Sequence, residues 1–285
     1  MDQLLRPDQE ELIVGVAKRK GIVKPEIQTE SGSNKGDNYL SAIVSVTVRD
    51  ELGDSKLNII AKKVLKGVQS RKSLKQIFST EALVYQELLL GYRELQEVNN
   101  VKDPFRGSAE FYGAILDEEK ETIIMQYLKE NGFKLWPRKV PMDAFHVEIV
   151  IREYAKLPAA SMAFKNVYPE RLVLDIAYFL IINSSKEVLS DYQKYLGLYH
   201  DVLSQNLREL GLDPEKTFSS ETLMDHWKKY SKFGVLMSVL FLRVNSEDIP
   251  DKVGMEKFKL SDEAEVRYKE RITNAIEFMA LNDLA

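Results

Sequence analysis

The chain has 285 residues, 44% of them apolar and 29% charged, enough for one large domain or two ordinary lobes with a proper core. Lys plus Arg number 40 against 44 Asp plus Glu, a net charge of −4, and without a basic surplus the chain is not read as binding nucleic acid. It has no cysteine and three histidines, His146, His200 and His226. Disulfide scaffolds, thiol catalysis, iron–sulfur clusters and cysteine-ligated zinc are excluded, and little is left for a histidine-built metal site.

The opening Met1-Asp-Gln-Leu-Leu-Arg-Pro-Asp8 has no cationic stretch followed by an apolar run, so no signal peptide is read there. The longest apolar runs, Leu172–Ile182 and Phe233–Leu242, fall well short of the roughly 20 residues of a membrane helix. The expectation is a cytoplasmic protein with no membrane contact.

In chain order, a helix is expected around Glu10–Lys20, then a loop over Thr29–Asn38 dense in turn formers. Tyr39–Val48 alternates as a strand, with Leu40, Ala42, Val44, Val46 and Val48 on one face. Glu51–Asp54 is a turn, and Leu57–Leu65 completes a hairpin. A helix from Leu74 to about Tyr92 follows, its stripe formed by Leu74, Ile77, Phe78, Tyr85 and Leu88. Ala109–Leu116 and Glu121–Leu128 read as a second strand pair. Helices alone come after: Met142–Leu157, Leu172–Asn183, Asp191–Leu210 stopped by Gly211, Ser220–Arg243 and Asp262–Leu281. Strands early and helices late describe an α+β chain with a sheet lobe over residues 1–128 and a helical lobe over 129–285.

Glu81 breaks the stripe of the Leu74–Tyr92 helix, because it lies three residues after Phe78 and four before Tyr85. A carboxylate in that phase either meets a cation or sits at the rim in solvent. Lys62, ending the apolar run Ile59-Ile60-Ala61, is the first candidate partner and Lys63 the second. Between Lys56 and Lys75 lie Lys62, Lys63, Lys66, Arg71 and Lys72 and no acidic residue, which suits either an anion site or a solvated face. Gly32 and Gly36, in the loop before the first hairpin, could offer backbone N–H groups to phosphate.

The order of these parts is that of a eukaryotic-type kinase small lobe, where a lysine and a glutamate pair to hold nucleotide phosphates. Gly36-Asp-Asn-Tyr-Leu-Ser41, Ile59-Ile-Ala-Lys62 and Phe78-x-x-Glu81-x-x-x-Tyr85 resemble the insect ecdysteroid-kinase-like family, related to choline and aminoglycoside kinases. Ile123-Ile-Met-Gln-Tyr-Leu128 followed by Asn131-Gly-Phe133 looks like its hinge strand, and Asp175-Ile-Ala-Tyr-Phe-Leu180 like a helix of its large lobe. The resemblance implies a protein-kinase-like two-lobed fold, ATP and magnesium as cofactors, and a small-molecule, ecdysteroid-like ligand. It also implies a nucleotide site formed by Lys62, Glu81, Gly32, Gly36, Asn38, Gln126 and Leu128.

The same resemblance exposes a gap. Family members carry His-Gly-Asp-x-x-x-x-Asn and then Asp-Phe-Gln, and both should fall between Ser161 and Asp175. Here that interval is Met162-Ala-Phe-Lys-Asn-Val-Tyr-Pro-Glu-Arg-Leu-Val-Leu174, with neither histidine nor aspartate. Pro158 and Gln126 replace the family's histidine after the first large-lobe helix and its acidic hinge residue. No catalytic and no metal-binding residue is therefore assigned. The expectation is a truncated helical lobe missing its catalytic segment near residues 164–174, in an inactive kinase-like protein, with weak or absent nucleotide binding. The alternatives are a non-catalytic binding protein (a pseudokinase), or an incomplete splice form or gene product of an active kinase.

Overall fold

The computed structural model describes residues 4–32, 41–65, 71–163, 169–247 and 259–284. It divides into two units, Met1–Leu90 with Ser108–Leu135, and Gly91–Gly107 with Trp136–Ala285.

The first unit is built on a five-stranded antiparallel sheet with strand order β1-β2-β3-β5-β4. Its strands are β1 (Pro25–Ser31), β2 (Ser41–Asp50), β3 (Lys56–Val64), β4 (Phe111–Ile115) and β5 (Thr122–Gln126). The expected hairpin is present, with Val44 opposite Ala61 and Val46 opposite Ile59. Strand β1 is a correction, because its alternation runs through part of the segment expected to be a loop. Six of its residues, from Glu26 to Ser31, pair with Ser45–Arg49 and Val44 on β2, so the polar composition marks an edge strand and not a turn.

One face of the sheet is covered by α1 (Pro7–Arg19). Ile13, Val16 and Ala17 bury themselves against Val44, Val46, Val48, Ile59, Ala61 and Ile124, each at most 2% exposed. At roughly 1.5–3 kcal/mol per buried aliphatic side chain, this layer is the main stabilising contact of the unit. Polar bonds fix its angle. Gln9 accepts from the Arg6 amide (2.8 Å) and donates to Thr122 Oγ1 on β5 (2.7 Å), while Arg6 donates to the Lys120 carbonyl (2.7 Å).

The opposite face meets α2 (Arg71–Leu83), which runs through a wider π-helical turn, Val84–Leu88, into α3 (Leu89–Val98). Leu74, Phe78 and Ala82 are its buried residues. Ile77, expected in the stripe, is 44% exposed, since the buried line follows the four-residue steps Leu74–Phe78–Ala82.

The second unit is helical: α4 (Ala144–Ala163), α5 (Pro169–Asn183), α6 (Lys186–Ser190), α7 (Tyr192–Glu209), α8 (Pro214–Phe218), α9 (Ser220–Tyr230), α10 (Lys232–Asn245) and α11 (Asp262–Leu281). Helix α4 continues through Pro158, beyond its expected end at Leu157. A proline inside a helix costs about 3 kcal/mol, offset here by Ala155, Ala159 and Ala160, all buried completely. Gly211, at φ +77°, ends α7 as expected, its amide donating to the Arg208 carbonyl at 3.0 Å. The single helix expected over Ser220–Arg243 is instead two, divided at the fully buried Ser231.

Gly234 explains why α10 can lie so close to α5. A Cβ placed there would stand 2.5 Å from the carbonyl oxygen of Ala177 and 2.9 Å from Ile181. Backbone cannot yield as a side chain can, so Gly234→Ala is expected to destabilise the protein by about 1–3 kcal/mol. Chemical denaturation of the two proteins measures this, and an unchanged midpoint would mean that α10 and α5 do not approach as described.

Candidate functional site

Strand alternation decides which lysine of β3 meets the helix. Leu57, Ile59 and Ala61 face α1, and Lys63 shares their side, donating to the carbonyl of Leu4. Lys62 points the other way, between Ile43 on β2 and Ile123 on β5. Its Nζ lies 2.6 Å from Glu81 Oε2, with the two side chains 27% and 25% exposed. Lys62 is therefore the partner that the inward phase of Glu81 requires, and Lys63 is not.

Aromatic rings frame the pair. Lys62 Nζ stands 5.7 Å from the centre of the Phe78 ring, one helical turn before Glu81. Tyr85, one turn after Glu81, stacks on Phe111 of β4 with centroids 6.0 Å apart and an interplanar angle of 12°. Burial, and then the charge of Glu81, push the Tyr85 hydroxyl above its usual range. Phe111 was not legible as a site feature, since it belongs to no motif, and Tyr85, which closes the motif run from Phe78, gave no sign of its π-helical turn. A lysine fixed by a glutamate on a neighbouring helix, with its ammonium still partly exposed, can hold an anionic group such as a phosphate oxygen.

The other expected site residues divide. Gly32 ends β1 with its amide already donating to the Ile43 carbonyl at 2.9 Å, and a Cβ there would come within 2.7 Å of the Ile43 side chain and 2.8 Å of the Ser45 amide. Close passage along β2 thus accounts for that glycine. Gln126 closes β5 by exchanging bonds with Glu110, its amide donating at 2.8 Å and its Oε1 accepting at 3.3 Å. Leu128 begins a 3₁₀ turn, Leu128–Asn131, and its carbonyl accepts from Phe133 at 3.3 Å. Gly36, Asn38 and Lys66 lie outside the described residues, as do the side chains of Arg71 and Lys72. Of the other lysines in the basic stretch, Lys56 pairs with Glu130 at 3.7 Å.

No three acidic or histidine side chains among the described residues come together in a way that could hold a metal ion. Asp175, on α5, has its carboxyl raised by burial, and its charge adds to the burial that raises the Tyr154 and Tyr199 hydroxyls. Among the described residues no helix is long and apolar enough to cross a membrane.

Residues 35–173 match the model of the ecdysteroid kinase-like family. The matched span includes Lys62, Glu81 and β5. No curated protein matches the chain.

The ion pair is partly exposed, so its loss falls between the values for surface and buried pairs. Glu81→Gln is expected to destabilise by about 1–2 kcal/mol and to lower the melting midpoint by roughly 2–6 °C. Lys62→Met should do the same, and the double variant should lose less than the two singly. Additive losses in that cycle would mean that the two side chains do not interact.

Proposed function

We propose that this chain is a kinase-like protein of the small-molecule phosphotransferase type that no longer transfers phosphate. The reading starts from the ecdysteroid kinase-like match over residues 35–173. The observation that carries it is the short path between α4 and α5. Helix α4 ends at Ala163 and α5 begins at Pro169, in the interval where the family's catalytic and metal motifs belong. Helical turns occupy most of Ser161–Asp175, and its sequence has no acid or histidine suited to either task. The match itself ends at residue 173.

Phosphoryl transfer depends on positioning and on metal charge. A general base contributes typically 10²–10⁴-fold, and a metal ion several kcal/mol of charge stabilisation. Losing both leaves a rate near background. The Lys62–Glu81 pair remains as a phosphate-facing feature, so the protein keeps a small-molecule ligand site of the family's kind without its chemistry. ATP is held weakly or not at all, because its phosphate charge is not offset by magnesium. In this reading Gln126 and Leu128 are the hinge residues that would meet a nucleotide base. A cytoplasmic location and an ecdysteroid-like ligand complete the proposal.

A second reading, an incomplete splice form or gene product of an active kinase, draws on the well-formed pair at Lys62 beside the same gap. Transcript sequence across the codons of Lys165–Leu174 separates the two.

Transfer of labelled γ-phosphate to a panel of ecdysteroids and amino alcohols should not exceed that of a Lys62→Met control. Turnover above the control would overturn the proposal and require a catalytic acid elsewhere. Titration with ATP and magnesium should move the melting midpoint by less than about 2 °C, the change for a ligand near its Kd. A larger rise abolished by a chelator would show that metal ligands persist.

A further inference from the structure

One carboxylate of the first unit stands outside the Lys62–Glu81 pair. Glu121, the residue before β5, is 3% exposed, and its Oε2 is closed to solvent without a hydrogen-bond partner. A glutamate is almost never buried so fully unless it is paired, because the lost hydration of the charge is not returned. The lysines nearest to it along the sheet, Lys62 and Lys63, are engaged with Glu81 and with the Leu4 carbonyl.

The register decides which lysine Glu121 can reach. The Val64 amide donates to the Glu121 carbonyl at 3.0 Å, so the ladder of β3 and β5 continues one pair beyond Lys63 and Thr122. Thr122 faces α1, where Gln9 donates to its Oγ1. Alternation then turns Glu121 to the opposite face, the one that carries Lys62 and Ile123. Lys62 and Glu121 are diagonal neighbours on that face, about 7–8 Å apart, a span that a long side chain bridges. A second feature sits beside Glu81. The π-helical turn Val84–Leu88 starts three residues after it, and none of its five residues is buried. Such a turn holds one residue more than an α-helical one. Moving that residue upstream of Glu81 would rotate its side chain by about 100°, off the inward line, while Leu74 and Phe78 stay seated.

We infer that Lys62 has two alternative carboxylate partners, Glu81 on α2 and Glu121 beside β5, and passes to Glu121 when Glu81 turns away. In the first state the ammonium stays partly exposed and can meet an anion. In the second it is neutralised by a buried carboxylate and offers nothing to an anion. The bistable element is the helix around its π-helical turn, and the charge that it moves is that of Glu81. The exchange rests on the ion pair alone, and it holds whether or not the chain is a kinase-like protein.

The test is the thermal midpoint of the full chain carrying Glu121→Gln, Glu81→Gln or both, with Lys62 in place and with Lys62→Met. Glu121→Gln alone should raise the midpoint by about 2 °C, because a neutral side chain of the same shape costs less to bury. In the Glu81→Gln protein the same change should lower it by about 2–4 °C, since Glu121 is then the partner of Lys62. With Lys62→Met that reversal of sign should vanish. A crystal structure of the Glu81→Gln protein gives an independent readout, with Lys62 Nζ expected within about 4 Å of a Glu121 carboxylate oxygen. Three results would overturn the inference: Glu121→Gln acting with one sign in both backgrounds, a reversal that survives Lys62→Met, or Lys62 standing apart from Glu121 in that structure.

Discussion

A carboxylate on the inward line of a helix constrains everything packed around it. Glu81 cannot face the sheet without a cation, so the strand opposite must present a lysine in the right phase. Antiparallel pairing of β3 between β2 and β5 provides that phase at Lys62. The same alternation delivers Ile59 and Ala61 to the other face, where α1 covers them. One choice of register thus serves two layers. Shifting β3 by one residue in one direction would drive Lys62 into the place of Ala61 in the α1 core, and in the other would leave Glu81 facing an alanine.

Much of this was readable from residue order, and the exceptions have physical causes. Helix α11 runs from Asp262 to Leu281, the span expected from the sequence, and Ser261 caps it. The β2–β3 hairpin was equally plain, since strict alternation flanks a glycine turn. Strand β1 was hidden because an edge strand can be polar throughout and still pair along its length. Ile77 misled because two helical lines, three and four residues apart, passed through the same stripe. The division at Ser231 carried no proline, and the local cue, Gly234, acts through a neighbour 57 positions earlier, Ala177. Such contacts are invisible in one dimension. For the site, Lys62 and Glu81 were legible by phase, whereas Phe111 reaches Tyr85 only through the sheet order.

The two glycines that most restrict substitution illustrate how packing and chemistry can be confused. Gly32 sits in a loop that resembles a phosphate cradle, yet its amide and its missing Cβ are both explained by β2. Gly234 belongs to no motif and still holds two helices at their closest approach. A glycine is therefore informative about function only after its neighbours have been accounted for.

The bonds that fix α1 join residues far apart in the chain. Gln9 meets Thr122 across 113 positions, and Arg6 meets Lys120 across 114. On a ribosome adding roughly 5–20 residues per second, the first helix waits about 6–23 s before β5 is synthesised to receive it. During that interval Ile13, Val16 and Ala17 have at most β1 to β4 to cover them, and Ile124 is absent. Helix α1 is thus made well before it is secured, so the nascent chain carries an apolar surface for molecular chaperones until the sheet closes.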